Sequence, residues 1–446
     1  MPLTRYFCDH AWLGGAGTER DVLVTVAGDR FISVELGAPR PADAQHLAGV
    51  TLPGFANVHS HAFHRALRGR TESDRGTFWS WRENMYVVAG ALTPETYYEL
   101  ARATYAEMAL GGVTCVGEFH YLHHQPGGKP YDDPNEMSRA LVAAALDAGL
   151  RITLFDACYL EGAPGTAVAG VQARFADAGV DAWAERTRSL TLATGALLGA
   201  AVHSVRAVPP GAALVVARHA AARGMPLHFH LSEQVGENEA CQTAYGKTPT
   251  EVLADAGALG VTSTAVHATH LSDGDIALLG GSGTTVCMCP TTERYLADGI
   301  GPAGRLEGAG SPIVLGSDSH AVVDLFAEMQ GLELDERLAT GRRVRWTAAE
   351  LLAAASAQGH EALGWKGCGR IAAGAPADLV TVSLGSVRLA GWSIDQLVEQ
   401  VVFGASAADV TQVVASGRTI VGEGRHQLLD DVPAALHRAI TALVAS

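Results

Sequence analysis

A pair of histidines one residue apart at the end of an apolar run is a metal-ligating pattern, and Asn57-Val58-His59-Ser60-His61 carries one. On an extended segment, side chains two positions apart share a face, so His59 and His61 can hold one ion together. Alone the pair is weak, since the chain has 18 histidines. It gains weight from other apolar runs that end in polar groups: His203, His230 with Glu233 three residues later, His267, and Asp318. Neutral imidazoles plus a carboxylate suit a catalytic zinc, which keeps a position open for water. His59, His61, His230 and Asp318 are therefore the expected metal ligands.

Each of these residues has a second reading. Asp318 could cap the helix that follows its strand. His267 ends Thr264-Ala265-Val266-His267 and should face the site, whereas His270 lies beyond it and should cap or pack. His228 sits two residues before His230, on the same face but deeper, and is expected to be a satisfied core histidine. Cys287-Met288-Cys289 could be imagined as a soft-metal pair, but buried apolar packing is the simpler reading because no second cysteine pair exists. His320 has no assigned task. Glu233, on the turn after its strand, can reach a water at the ion without ligating the ion.

Eight short apolar strands are expected to position these groups, ending near His59, Glu118, Asp156, His203, His230, His267, Cys289 and Ser317. Helix-like segments alternate with them, which implies parallel pairing. Thr93-Pro94-Glu95 and Thr248-Pro249-Thr250-Glu251 are helix starts with Pro at the first helical position. Eight such units over about 310 residues fit an α/β protein of the (β/α)8-barrel type with enlarged loops, whose active site lies at the carboxyl ends of the strands. The flanks instead show alternating strand patterns, as in Asp21–Val26, Phe31–Val34 and Ala377–Val382. Too few strands occur on either side for an independent sheet, so the flanks are expected to pair into one composite β-sandwich domain. This predicts a composite domain from 1–54 and 366–426, a catalytic barrel over 55–365, and a C-terminal helical segment over 427–446.

A formal charge of −15 argues against nucleic acid or an anionic membrane as partner. No uncharged apolar run approaches the ~20 residues of a membrane span, and the first residues lack the apolar core of a signal peptide. Seven scattered cysteines suit a reducing compartment. A cytoplasmic protein is expected. Lys129, Lys247 and Lys366 are the only lysines, and none stands at a strand end where a carbamylated lysine could bridge two ions. One metal ion per subunit is expected.

The metal set together with Gly374-Ala375-Pro376-Ala377-Asp378-Leu379-Val380 resembles the amidohydrolase superfamily, in its single-metal deaminase branch. Three further segments, Phe78–Tyr86, Glu118–His124 and Thr292–Ile300, together with His203-Ser204-Val205-Arg206, are similar to the N-formimino-L-glutamate deiminases of histidine degradation. The resemblance covers essentially the whole chain. It implies one zinc ion, a small substrate with two carboxylates, and hydrolysis to N-formyl-L-glutamate and ammonia. Glu233 would shuttle a proton, His267 would stabilise the tetrahedral centre, and Asp318 would take a second proton. Arg82 and Arg206 would bind carboxylates with Tyr121 and His203 as hydrogen-bond partners, an ordinary surface salt bridge being the plainer role for each arginine. His64 departs from the family, which often has Gln there, and is a candidate substrate contact. A homodimer is the expected assembly. A purine or pyrimidine deaminase or a chlorohydrolase would use the same metal set, and a noncatalytic barrel scaffold would be expected to have lost some of it.

Overall fold

The computed structural model describes residues 3–15, 17–72 and 76–444. Its centre is an eight-stranded parallel sheet with its strands in chain order: Phe55–Ser60, Val113–His120, Arg151–Cys158, Ala196–Val202, Leu227–Leu231, Ser263–His267, Thr285–Met288 and Ile313–Leu315. Most are buried along their whole length, which is why they read as apolar runs and not as alternating ones. Thr93 caps the helix Pro94–Leu110 and Thr248 caps Pro249–Asp255, each through a capping box. The enlarged loop after the first strand holds a short 3-10 turn, Ala62–Leu67, and a further helix, Phe78–Ala91.

The first and eighth strands meet without a regular ladder. Ser317 N and Asp318 N donate to His59 O at 3.1 and 3.0 Å, and His61 N donates to Asp318 O at 3.2 Å. Asn57 adds side-chain bonds to Ser317 N and Oγ at 2.9 and 2.7 Å. Gly316 permits this approach, since a Cβ there would lie 2.8 Å from His59 Cβ and 2.9 Å from His59 N. The seam that closes the barrel thus brings the histidine pair and Asp318 together.

Both chain ends contribute to a second eight-stranded sheet, as the flanking patterns predict. Its order is Arg425–His426, Arg418–Gly422, Val410–Ala415, Leu379–Val382, Gln45–Pro53, Leu3–Ala11, Glu19–Ala27 and Arg30–Glu35. The two flanks join where Leu379–Val382 runs antiparallel to Gln45–Pro53. Arg151 of the third barrel strand forms a buried ion pair with Asp378 and ties the two sheets together. The C-terminal helix Val432–Val444 buries Val432, Leu436 and Ile440 at helical spacing against helix Pro94–Leu110. The last two residues of the predicted helix, and Met1 and Pro2, lie outside the described residues. Cys287 and Cys289 are buried and unpaired, as apolar packing requires. No helix among the described residues is long and apolar enough to cross a membrane.

Candidate active site

At the carboxyl ends of strands one, five and eight, four donor atoms converge. The Nε2 atoms of His59, His61 and His230 lie 3.1 to 3.4 Å from one another. Asp318 Oδ1 is 3.4 Å from His59 Nε2 and 3.3 Å from His61 Nε2. A tetrahedral zinc with bonds near 2.05 Å has donor-to-donor edges of about 3.3 Å. The cluster has the size and the donor set that a divalent ion requires.

Second bonds fix two of these rings. His61 Nδ1 lies 2.8 Å from Phe119 O and His230 Nδ1 lies 2.9 Å from His203 O, which places each proton on Nδ1 and leaves Nε2 free as a ligand. Burial pushes the His59 and His230 pKa values well below the usual imidazole range, and that of His61 down to about 3. The ligands are therefore neutral without competition from protons. Ser232, His267, Asp318 and His320 all have positive φ without being glycine. Such strained backbone concentrates at functional sites.

Glu233 and His267 stand beside this cluster. Glu233 Oε1 is 3.9 Å from His267 Nε2, and Asp318 Oδ2 is 3.8 Å from the same nitrogen. Asp318 thus divides its carboxylate, Oδ1 toward the metal ligands and Oδ2 toward His267. Burial alone would lower the His267 pKa, but Glu293, Glu233 and Asp318 hold it well above the usual value. His270 does not line the cavity, and its carbonyl accepts from Asn238 Nδ2 at 2.6 Å.

A cavity of about 220 Å³ opens over the cluster, with Arg82, Tyr121, His203, Arg206 and His64 in its walls. His64 Nε2 and Tyr121 Oη are 3.0 Å apart, so these two predicted substrate contacts are partners of each other. Arg82 lies over the Trp79 ring at 4.5 Å and near Tyr86 at 5.5 Å, and makes no ion pair among the described residues. Its Nε is buried and unpartnered. Arg206 differs: its Nη2 donates to Glu233 Oε2 at 3.2 Å and its Nε lies 3.7 Å from Glu237 Oε2. Among the described residues neither guanidinium forms an ordinary surface salt bridge.

His228 needs a correction. It is fully buried, but both ring nitrogens lack partners among the described residues, so it is not the satisfied histidine expected from its position. Strand five places it among apolar groups, where it stacks on Phe155 at 3.5 Å, and burial keeps it neutral. His320 gains a place instead, bridging Ser60 Oγ at 3.0 Å and Ser317 Oγ at 3.1 Å. Sequence reasoning missed Glu118, whose carboxylate accepts from Ser60 Oγ at 2.6 Å and Ala62 N at 2.7 Å and so braces the histidine pair from beneath. It also missed Glu237, Glu293 and Asp298. The only signal for the last two was their presence in the Thr292–Ile300 segment.

The fold and this site define a barrel hydrolase, and a family profile described as "Amidohydrolase family" matches residues 50–420. The chain belongs to the amidohydrolase family. It is 35% identical over 427 residues to the formimidoylglutamate deiminase of Pseudomonas aeruginosa, covering 92% of this chain and 93% of that one. The 8-oxoguanine deaminase of the same organism is 30% identical over 404 residues, covering 89% and 88%. Among solved structures, an amidohydrolase from Brucella melitensis superposes with a TM-score of 0.89 at 33% identity, covering 99% of this chain and all of that one. An adenosine deaminase from Xanthomonas campestris with bound zinc shares the fold at a TM-score of 0.82 and 22% identity, covering 99% of each.

Proposed function

We propose that this chain is a zinc-dependent deiminase that hydrolyses N-formimino-L-glutamate to N-formyl-L-glutamate and ammonia in histidine degradation. One observation carries the reading: a small cavity joins a three-histidine, one-aspartate centre to two guanidinium groups, Arg82 and Arg206. A cavity of about 220 Å³ falls below the ~300–1,000 Å³ of sites for drug-sized ligands, so it suits a short linear dicarboxylate better than a nucleoside. The likeness to the Pseudomonas aeruginosa deiminase supports the same substrate.

His59, His61, His230 and Asp318 would hold the ion. A divalent cation supplies Lewis acidity there, drawing the pKa of water toward neutrality. Glu233 accepts a proton from the attacking water and delivers it to the substrate nitrogen, which leaves as ammonia. His267 Nε2 stabilises charge at the tetrahedral carbon. Asp318 Oδ2 takes the second proton of the water and passes it to the same nitrogen, completing ammonia as the C–N bond breaks. Arg82, which has no carboxylate partner among the described residues, takes one substrate carboxylate, flanked by Tyr121, His203 and His64. Arg206 takes the other while keeping Glu233 oriented. The enzyme works as a cytoplasmic homodimer.

Ammonia release from N-formimino-L-glutamate, measured against 8-oxoguanine and 5-methylthioadenosine, tests the reading. Turnover of the amidine alone supports it. Preference for either heterocycle replaces it with a heterocycle deaminase, the reading suggested by the deaminase relatives.

A further inference from the structure

Glu293 has no part in the chemistry above, yet it stands directly behind His267. It lies on the short helix Pro290–Tyr295 that follows strand seven and is 4% exposed. Its Oε1 accepts from Cys289 N at 2.8 Å and lies 3.5 Å from His267 Nδ1. That nitrogen is buried and has no other partner at hydrogen-bond geometry among the described residues, and the Glu293 carboxylate faces it at ion-pair distance. The opposite nitrogen, Nε2, looks toward Glu233 and Asp318. His267 and Ala268 both have positive φ, at 69° and 50°, and Ala268 N is tied to Leu231 O at 3.0 Å, so the backbone presents the ring edge-on between two sets of carboxylates.

We propose that Glu293 is a positioning residue that holds the His267 Nδ1 proton and so dedicates Nε2 to the reaction centre. An imidazolium that gives up one proton becomes a ring with one donor and one acceptor nitrogen, and the partner at one nitrogen decides which proton stays. With a carboxylate fixed at Nδ1, the proton stays there. Nε2 alone then exchanges hydrogen bonds and protons with water and substrate. Glu293 is itself fixed by Cys289 N, at the start of the helix that carries it. Nothing in the sequence pairs Glu293 with His267, because 26 residues and a strand change separate them.

One rival exists at the same place. His267, Cys289 and Glu293 each offer a donor atom within 4.8 Å of the others, a spacing that could hold a second ion. Burial raises the Cys289 pKa well above its ordinary value, so an ion there would have to displace the thiol proton.

The inference rests on the hydrolytic reading of the site, but its test has a readout that does not. In the metal-loaded full-length protein, ¹⁵N-histidine spectra should show His267 protonated at Nδ1. Glu293→Ala should lose that fixed tautomer and lower kcat about 100-fold, the upper end for removing an orienting partner. KM should stay within about two-fold and metal content at one ion per subunit. Glu293→Gln keeps an oxygen for Cys289 N and His267 and should fall about ten-fold, which separates lost orientation from lost folding. An unchanged Nδ1 signal, or kcat within three-fold in Glu293→Gln and Glu293→Ala, overturns the proposal. Two ions in the wild type and one in Glu293→Ala assign the cluster to a metal instead. A wild type that releases no ammonia from N-formimino-L-glutamate refutes the function, while the spectra still decide the orientation.

Discussion

The wall of the pocket that carries the histidines rises from strand ends, whereas the wall that carries Arg82 is a helix inserted between strand one and its barrel helix. His59, His61, His230 and Asp318 sit at the barrel rim on backbone fixed by neighbouring strands and by the seam between strands one and eight. Helix Phe78–Ala91 buries Phe78, Met85, Val88 and Ala89, and a buried cation braces its far end. There Arg174 donates to the carbonyls of Ala89, Gly90, Leu92 and His124 at 2.5 to 3.1 Å, with its guanidinium almost fully buried. The candidate metal ligands stand on or just beyond the ends of strands. Groups on the opposite wall of the pocket sit on an inserted helix whose end one cation braces, an element that can change without disturbing the centre.

The largest effect expected from breaking this division is on the strand side. Glu233→Gln should keep its metal and its fold yet lose turnover by about 10³-fold, within the range for a removed general acid–base. Metal analysis beside a kcat measurement checks it, and full activity removes Glu233 as the shuttle. Next come the arginines, which separate the two walls. Arg82→Ala should raise KM about 10 to 100-fold, the worth of one hydrogen-bonded charge, with kcat nearly unchanged. Arg206→Ala should raise KM and also lower kcat, because Arg206 holds Glu233. Identical kinetic signatures for both variants would erase the distinction.

Smaller still is the effect of loosening the inserted helix. Arg174→Leu leaves buried carbonyls without a donor and should cost about 3 kcal/mol of stability. In thermal unfolding this appears as a lower Tm. At temperatures where the protein stays folded, KM should rise while metal content stays at the wild-type level. Loss of metal would mean the two walls are mechanically one. His64→Gln should be the mildest change. An amide can still reach Tyr121 Oη, so KM should move by no more than about three-fold, and a larger shift would make His64 a direct determinant of affinity.

Strand-borne features were readable because their signals are local. An apolar run with a polar end identifies a barrel strand, and a His-x-His spacing fixes two ligands on one face before any fold is known. Helix starts at Thr93 and Thr248 were equally legible, since a cap depends on four neighbouring residues. The arginines of the substrate wall were legible only by resemblance, because nothing in their local sequence says where they point.

His228 shows the limit of local reasoning from the other side. Period-two alternation correctly placed it on the same face as His230, but whether it found a partner depended on Phe155, a residue from another strand.

By itself the sequence determined the eight strands, the alternation that makes them parallel, the composite flanking sheet, and which four residues are candidate metal ligands. Only the tertiary structure decided that Asp318 splits its oxygens between the metal cluster and His267, that Arg206 is committed to Glu233, and that Glu118 and Glu293 stand behind the residues that do the chemistry. The physical reason is one of distance. Periodicity and capping act over a few residues, whereas the pairing of buried charges depends on which strand ends barrel closure brings within 4 Å.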